Sequence, residues 1–299
     1  MFGGNGTTNI GPPSPLGTPF PALKILLTND DGIQATGLNA LRRALLEVPS
    51  VELAVIAPDA NRSASARSIT TRTPLWVEEI EFGDGTTGFA TDGTPVDCVR
   101  FAALGLLGFE PELIVSGINH GANLGDDITY SGTVAAALEG AVLGVPAIAV
   151  SQQSMSREMD FRFGREFVFD GVARFTSQLV ERLPDHPVSP GTLLNINCPG
   201  RLEEDLAGAQ VTRLGKRVYR DKLELQEEDE SGRPRRRYRI YGMEPSFRNE
   251  PGTDFAAIDA GLISVTPLHF ELTDMQRLEE MAGWDLSALL GSSEPLRRE

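Results

Sequence analysis

The feature that most limits what this chain can fold into is a short apolar run, Lys24-Ile25-Leu26-Leu27-Thr28, that passes straight into Asn29-Asp30-Asp31-Gly32. An apolar run of that length, closed by a turn signal, reads as a buried strand. Open parallel sheets bind ligands in the crevice beyond the carboxyl ends of their strands. Two neighbouring carboxylates at such an end repel each other, and both ionise readily only beside a compensating cation. The stretch therefore has two readings. One is a set of oxygen ligands for a hard divalent metal. The other is a helix cap and turn, which Asp and Asn also favour. Taken alone it leaves both open.

The rest of the chain repeats the strand-then-polar-loop pattern. Leu38, Leu41, Leu45 and Val48 recur at helical spacing after a loop over 33–37, and Pro49 ends that helix. Val51 to Ala57 is the next strand, closed by Pro58-Asp59 and followed by the polar loop Asn61 to Ser68. Trp76 to Phe82 and Thr86 to Thr91 flank Gly83-Asp84-Gly85, a hairpin signal. Thr94-Pro95-Val96-Asp97 starts a helix that should run to Leu106, with Thr as cap, Pro in the first turn and an acid to complete a capping box. Leu113 to Asn119 is a buried strand, and a loop to Tyr130 leads into Ser131-Gly132-Thr133, which opens a helix to Leu143. Pro146 to Val150 is a strand, Phe167 to Leu183 a helix, and Thr192 to Cys198 a strand. This alternation predicts a Rossmann-like, doubly wound α/β fold with a mostly parallel sheet.

After about residue 205 the pattern changes. Val211 to Tyr219 and Arg237 to Tyr241 read as strands, and the charged stretch Leu225 to Arg236 reads as the tip of a protruding hairpin arm. Leu262 to Leu268 is a late strand, and Thr273 caps a last helix through Met281. The expected division is a disordered N-terminal extension over 1–22, a catalytic core over 23–205, and a C-terminal segment over 206–299 whose arm, late strand and final helix serve oligomerisation.

Composition narrows the function. The formal net charge of −15 argues against a nucleic-acid groove and against an anionic membrane surface. No apolar run reaches the length of a membrane span. Cys98 and Cys198 have no metal spacing and read as buried small hydrophobes in a reducing, cytoplasmic setting. Neither a G-x-G-x-x-G nor a Walker-type loop occurs, so a nicotinamide enzyme or P-loop hydrolase has no motif support. Among the histidines, His120 lies beside Asn119 and is a candidate acid or base, while His186 and His269 read as structural.

Three strand ends carry unusual polar loops: Asn29 to Gly32, Asn61 to Ser63, and Ser116 to Asn119. On one sheet edge they bring together two carboxylates, a hydroxyl and an amide oxygen, a plausible donor set for Mg²⁺ or Mn²⁺. Ser131-Gly132-Thr133 at a helix start offers free N–H groups to an anion, with glycine permitting close approach. Arg62 and Arg67 are either phosphate partners or plain loop charges. Asp126 and Asp127 form a second acidic pair or, more simply, a turn.

The run Ile25 to Gly32, then Ala57 to Ser63, then Ser116 to Asn119 with Gly121 to Gly125, then Tyr130 to Ala137, resembles the SurE family of stationary-phase survival proteins. Gly252 to Ala257 and Ser264 to Leu268 match its later segments, so the likeness covers about residues 23–272. The resemblance implies a metal-dependent phosphomonoesterase acting on nucleoside 5'- and 3'-monophosphates, cytoplasmic, with a Rossmann-like core and an arm used to build a homodimer or homotetramer. It implies one divalent metal per subunit on Asp30, Asp31, Ser63 and Asn119. Asn123, Ser131, Gly132 and Thr133 would surround the phosphate, with Asp30 and Asp31 as catalytic groups. Ala64 stands where many relatives have glycine. A second reading of the same residues is a non-catalytic nucleotide or phosphate sensor using that metal cleft.

Overall fold

In the computed structural model the described residues are 22–157, 166–219, 222–229, 235–240 and 246–290. The expected N-terminal extension apart from Ala22, residues 230–234 of the expected arm tip, and Tyr241 lie outside them. The core runs β1 (Leu23–Thr28), α1 (Thr36–Leu46), β2 (Val51–Pro58), β3 (Val77–Glu81), β4 (Thr87–Thr91), α2 (Pro95–Ala103), β5 (Leu113–His120), α3 (Gly132–Val142), β6 (Ala147–Gln152), α4 (Asp170–Arg182) and β7 (Thr192–Cys198). Then come β8 (Ala209–Val211), β9 (Arg217–Val218), β10 (Glu224–Asp229), β11 (Arg235–Arg239), β12 (Ser246–Phe247), α5 (Asp254–Asp259), β13 (Ile263–His269) and α6 (Met275–Met281).

Nine strands form one sheet in the order β3-β4-β2-β1-β5-β6-β7-β13-β8. The strands from β2 to β7 pair in parallel, while β3 and β13 run against their neighbours β4 and β7. Strand periodicity sorts the core into two layers. Ile25 and Leu27 pack with Leu38, Leu41 and Leu45 of α1 and Val172 and Val180 of α4. Leu26, between them, packs on the other face with Val99 of α2 and Val134 and Ala137 of α3. Each fully buried leucine contributes about 1.5–3 kcal/mol, and a strand covered by helices on both faces reads as the continuous apolar run seen in β1.

The sheet register levels the strand ends. Thr28 of β1 lies opposite Ser116 of β5, Asn119 opposite Ser151 of β6, and Ser151 opposite Asn197 of β7. A break in register between Ser116 and Asn119 turns the end of β5. Gly117 sits there at φ +138°, and a Cβ would come within 2.3 Å of the Val150 carbonyl oxygen. Only glycine fits that approach.

Several boundaries differ from expectation for local reasons. The hairpin and the Thr94–Asp97 capping box form as read, but α2 stops at Ala103. Helix α1 starts at Thr36 rather than after Gly37, because His120 Nε2 accepts the Gly37 N–H at 3.3 Å. Helix α4 begins at Asp170, since Phe167 and Phe169 stack with His120 instead. Val211 to Tyr219 is not one strand. The Arg213 N–H bonds the Gly252 carbonyl and Asp254 takes the Gly215 N–H, which breaks it into β8 and β9. Strand β10 falls almost wholly in the stretch read as a tip, and β11 begins two residues before the strand read from Arg237; every residue of both is exposed. The final helix is capped by the Asp274 carboxylate on the Arg277 N–H, not by Thr273. Among the described residues no helix is long and apolar enough to cross a membrane.

Candidate active site

The turn after β1 is built by its own asparagine. Asn29 donates to the Gly32 carbonyl at 2.9 Å and accepts the Gly32 N–H at 3.2 Å. This closes the chain so that Asp30 and Asp31 leave the strand in succession. Asp30 is buried, and its Oδ1 accepts the Thr133 hydroxyl at 2.5 Å. The Asp30 carbonyl accepts the Arg62 N–H at 2.6 Å, which docks the loop after β2. The Asp31 carboxylate accepts the His120 N–H and the Asn61 amide, each at 3.0 Å. Asn61 in turn accepts the Ser63 N–H at 2.8 Å. One hydrogen-bonded chain thus ties together the three loops expected to converge. Asn119, buried at the end of β5, spends its amide N–H on the Gly121 carbonyl at 2.7 Å, leaving its oxygen as the available group.

The electrostatics are unusual for a surface turn. Burial, and then the charge of Asp31, push the Asp30 carboxyl up to about 6, against the Thr133 hydrogen bond. Burial also raises Asp31. No ion pair to either is seen among the described residues, whose salt bridges lie elsewhere. A buried carboxylate pair without a cationic partner is costly unless a cation is supplied from outside. The available donors are all oxygens, and no cluster of three or more His, Cys, Asp or Glu side chains occurs among the described residues. This donor set fits Mg²⁺ or Mn²⁺ and does not fit a structural zinc.

A cavity of about 200 Å³ opens at this point, lined by Asp30, Ser63, Asn119, Asn123, Tyr130 and Ser131, with Ala64, His120 and Asp127. Asp31, Gly132 and Thr133 stand next to it without forming its wall. Ser131 caps α3 by accepting the Val134 N–H at 3.1 Å. Gly132 was expected to let backbone approach a ligand. The close approach is instead to Asp30, whose Cβ would lie 2.7 Å from a Cβ added at position 132. The helix N-terminus therefore faces the buried carboxylate directly.

Other residues resolve individually. Burial lowers the His120 pKa, and its ring stacks on Phe167 and Phe169 at 5.2 and 5.0 Å while Nε2 caps α1. Arg62 pairs with Asp59 at 2.9 Å, and Arg67 with the buried Glu139 at 2.6 Å, so neither guanidinium faces the cavity wall. Asp126 pairs with Lys216, whereas Asp127 is buried against Arg217 and accepts the Tyr219 hydroxyl at 2.5 Å. Ala64 adopts φ +58°, the left-handed region that favours glycine. Both cysteines are free and buried, and burial raises both thiols, Cys198 to about 12.

Sequence reading missed what holds Asn123. Its N–H donates to Asn197 Oδ1 at 2.7 Å, its amide donates to Ser151 at 2.8 Å, and its carbonyl accepts from Asn195 and Asn197. The available signal was Asn195-x-Asn197, two amides on one face of an otherwise apolar strand. Asp254 was missed as well. Fully buried, it accepts the N–H groups of Gly125, Gly215 and Phe255, joining the cavity loop to the segment before the arm.

The sequence model of the family described as "Survival protein SurE" matches residues 25–221. A protein of Rubrobacter xylanophilus named 5'-nucleotidase SurE is 54% identical over 271 residues, covering 90% of this chain and 99% of that one. One of the same name from Chloroflexus aggregans is 47% identical over 262 residues, covering 87% and 98%. The crystal structure of the SurE protein from Aquifex aeolicus superposes with a TM-score of 0.71 at 36% identity, covering 86% of this chain and 98% of that one.

Proposed function

This chain belongs to the SurE family, and we infer that it is a 5'-nucleotidase that hydrolyses nucleoside monophosphates to nucleoside and phosphate. The observation that carries the reading is the Asp30–Asp31 pair, Asp30 buried and Asp31 half-buried, lacking a cationic partner among the described residues, with Asp30 on a cavity shared with the capped start of α3. A phosphate monoester is an anion that needs both a cation and N–H donors, and these two features supply the places for them.

In this reading Asp30, Asp31, Ser63 and Asn119 hold one Mg²⁺ or Mn²⁺ per subunit. When bound, such an ion polarises a phosphoryl oxygen and lowers the pKa of a coordinated water. Asn123, Ser131, Gly132 and Thr133 receive the phosphate. Asn123 is fixed by the amide network of β7 and Ser131 by its own cap, so both donors are set before substrate arrives. Hydrolysis joins a water oxygen to phosphorus and breaks the bond from phosphorus to the sugar oxygen, which takes up a proton and leaves as the nucleoside hydroxyl. Asp30, on the cavity wall, is placed to hold the proton that the water gives up, and Asp31 orients the end of β5 through the His120 N–H. The same cavity accepts 3'-monophosphates as well as 5'-monophosphates. The sensor reading has no observation of its own in favour of it.

The working protein is proposed to be a cytoplasmic homodimer or homotetramer. Its exposed arm, β10 with β11, and the segment after residue 206 form the contact, and the free buried thiols fit a reducing compartment. Purified protein given a nucleoside monophosphate and Mn²⁺ should release phosphate catalytically, and chelator should abolish release. Stoichiometric binding with no turnover would overturn the reading in favour of a sensor.

A further inference from the structure

We propose that Tyr130 is a stacking platform for the nucleobase and so sets the preference of this cavity for nucleotides over other phosphate esters. The inference rests on the nucleotidase reading and adds to it the group that recognises the base.

Tyr130 immediately precedes Ser131, the cap of α3, and both residues line the cavity. It is 58% exposed, a large aromatic surface left open at the very site where an anion is to be held. Its position is fixed from behind, because its N–H donates to the Asp127 carbonyl at 3.0 Å and its carbonyl accepts the Ala66 N–H at 3.3 Å. The neighbouring Tyr219 is also partly exposed, and its hydroxyl is anchored to Asp127. Burial and the hydrogen bond to Asp127 raise the Tyr219 pKa. A monophosphate seated at Ser131 carries its sugar and base outward, past the adjacent residue.

The aromatic groups on the other flank do not offer the same surface. Phe167 stacks on both His120 and Phe169, and Phe169 is 9% exposed. Stacking on an aromatic side chain tolerates every base, since each has a π-face, and truncating such a platform weakens binding by about 1–3 kcal/mol.

The test compares kcat/KM for adenosine 5'-monophosphate and for ribose 5-phosphate, which has the same phosphate and sugar without a base. With Mn²⁺ present, Tyr130→Ala should lower the ratio of the two about tenfold, mainly by raising KM for the nucleotide. Tyr130→Phe, which keeps the ring, should stay within about twofold of wild type in that ratio. Equal losses on both substrates in Tyr130→Ala, or no loss on either, would overturn the platform while leaving the nucleotidase reading intact. A wild-type protein that turns over neither ester would overturn both.

Discussion

Two regions of this molecule are dense in carboxylates, and they treat that charge in opposite ways. In the arm, Glu227 and Glu228 of β10 face Arg237 and Arg236 of β11 at 2.9 and 2.6 Å, all exposed to solvent. At the end of β1, Asp30 and Asp31 are withdrawn from solvent with hydrogen bonds but without a basic partner among the described residues. Exposed pairs of the first kind are worth about 0–1 kcal/mol. Buried like charges of the second kind cost stability and persist only where something gains from them. Burial, not charge count, marks the site.

That contrast can be sharpened first at Gly132. Alanine there would place a Cβ 2.7 Å from the Cβ of Asp30, so the helix start or the turn after β1 must shift. Gly132→Ala should lose about 100-fold in kcat/KM, the usual consequence of displacing a positioned group by an ångström. It should also cost about 1–3 kcal/mol in urea unfolding from overpacking. Loss of stability with full activity would break the link between α3 and the carboxylate.

Next in size is Ala64. Relaxing its left-handed backbone with Ala64→Gly should stabilise the protein by about 1 kcal/mol. Differential scanning calorimetry should then show a rise of about 2–4 °C. A lower melting temperature would mean that the alanine methyl makes packing that outweighs its strain.

The smallest effect belongs to the arm. Glu228→Gln removes one partner of an exposed pair and should change stability by less than about 0.5 kcal/mol in the same scan. A loss above about 2 kcal/mol would show that the arm's charge is as consequential as the site's.

The same division decides what could be read before any coordinates existed. The end of β1 was legible because an apolar run, a turn signal and adjacent acids are local, and α2 because its capping box spans four residues, Thr94 to Asp97. The hairpin arm and part of β11 were legible too, but β10 was not. Its residues look like a solvated tip until Glu228 and Arg236 are known to face each other, and facing is a property of register rather than of composition. Gly132 was recognisable as a close-approach residue, but its neighbour, Asp30, comes from more than a hundred residues away. Asp254, Asn195 and Asn197 also hold the cavity loop through contacts distant in sequence; the two amides on one face of β7 are a local signal that the strand end is polar, but not of what they hold. Ala64 was visible as a departure from the family pattern, and its physical meaning waited for a backbone angle.

Asp30 and Asp31, with no ion pair among the described residues, are proposed to take a cation from solution. Thermal unfolding with and without Mn²⁺ tests it with no substrate present. At a hundredfold excess over Kd, metal should stabilise the wild-type protein by about 2.7 kcal/mol, roughly 4–5 °C for a chain of this length. Asp31→Ala should show a shift of less than about 1 °C. An equal shift in both proteins would place the ion elsewhere and contradict the account.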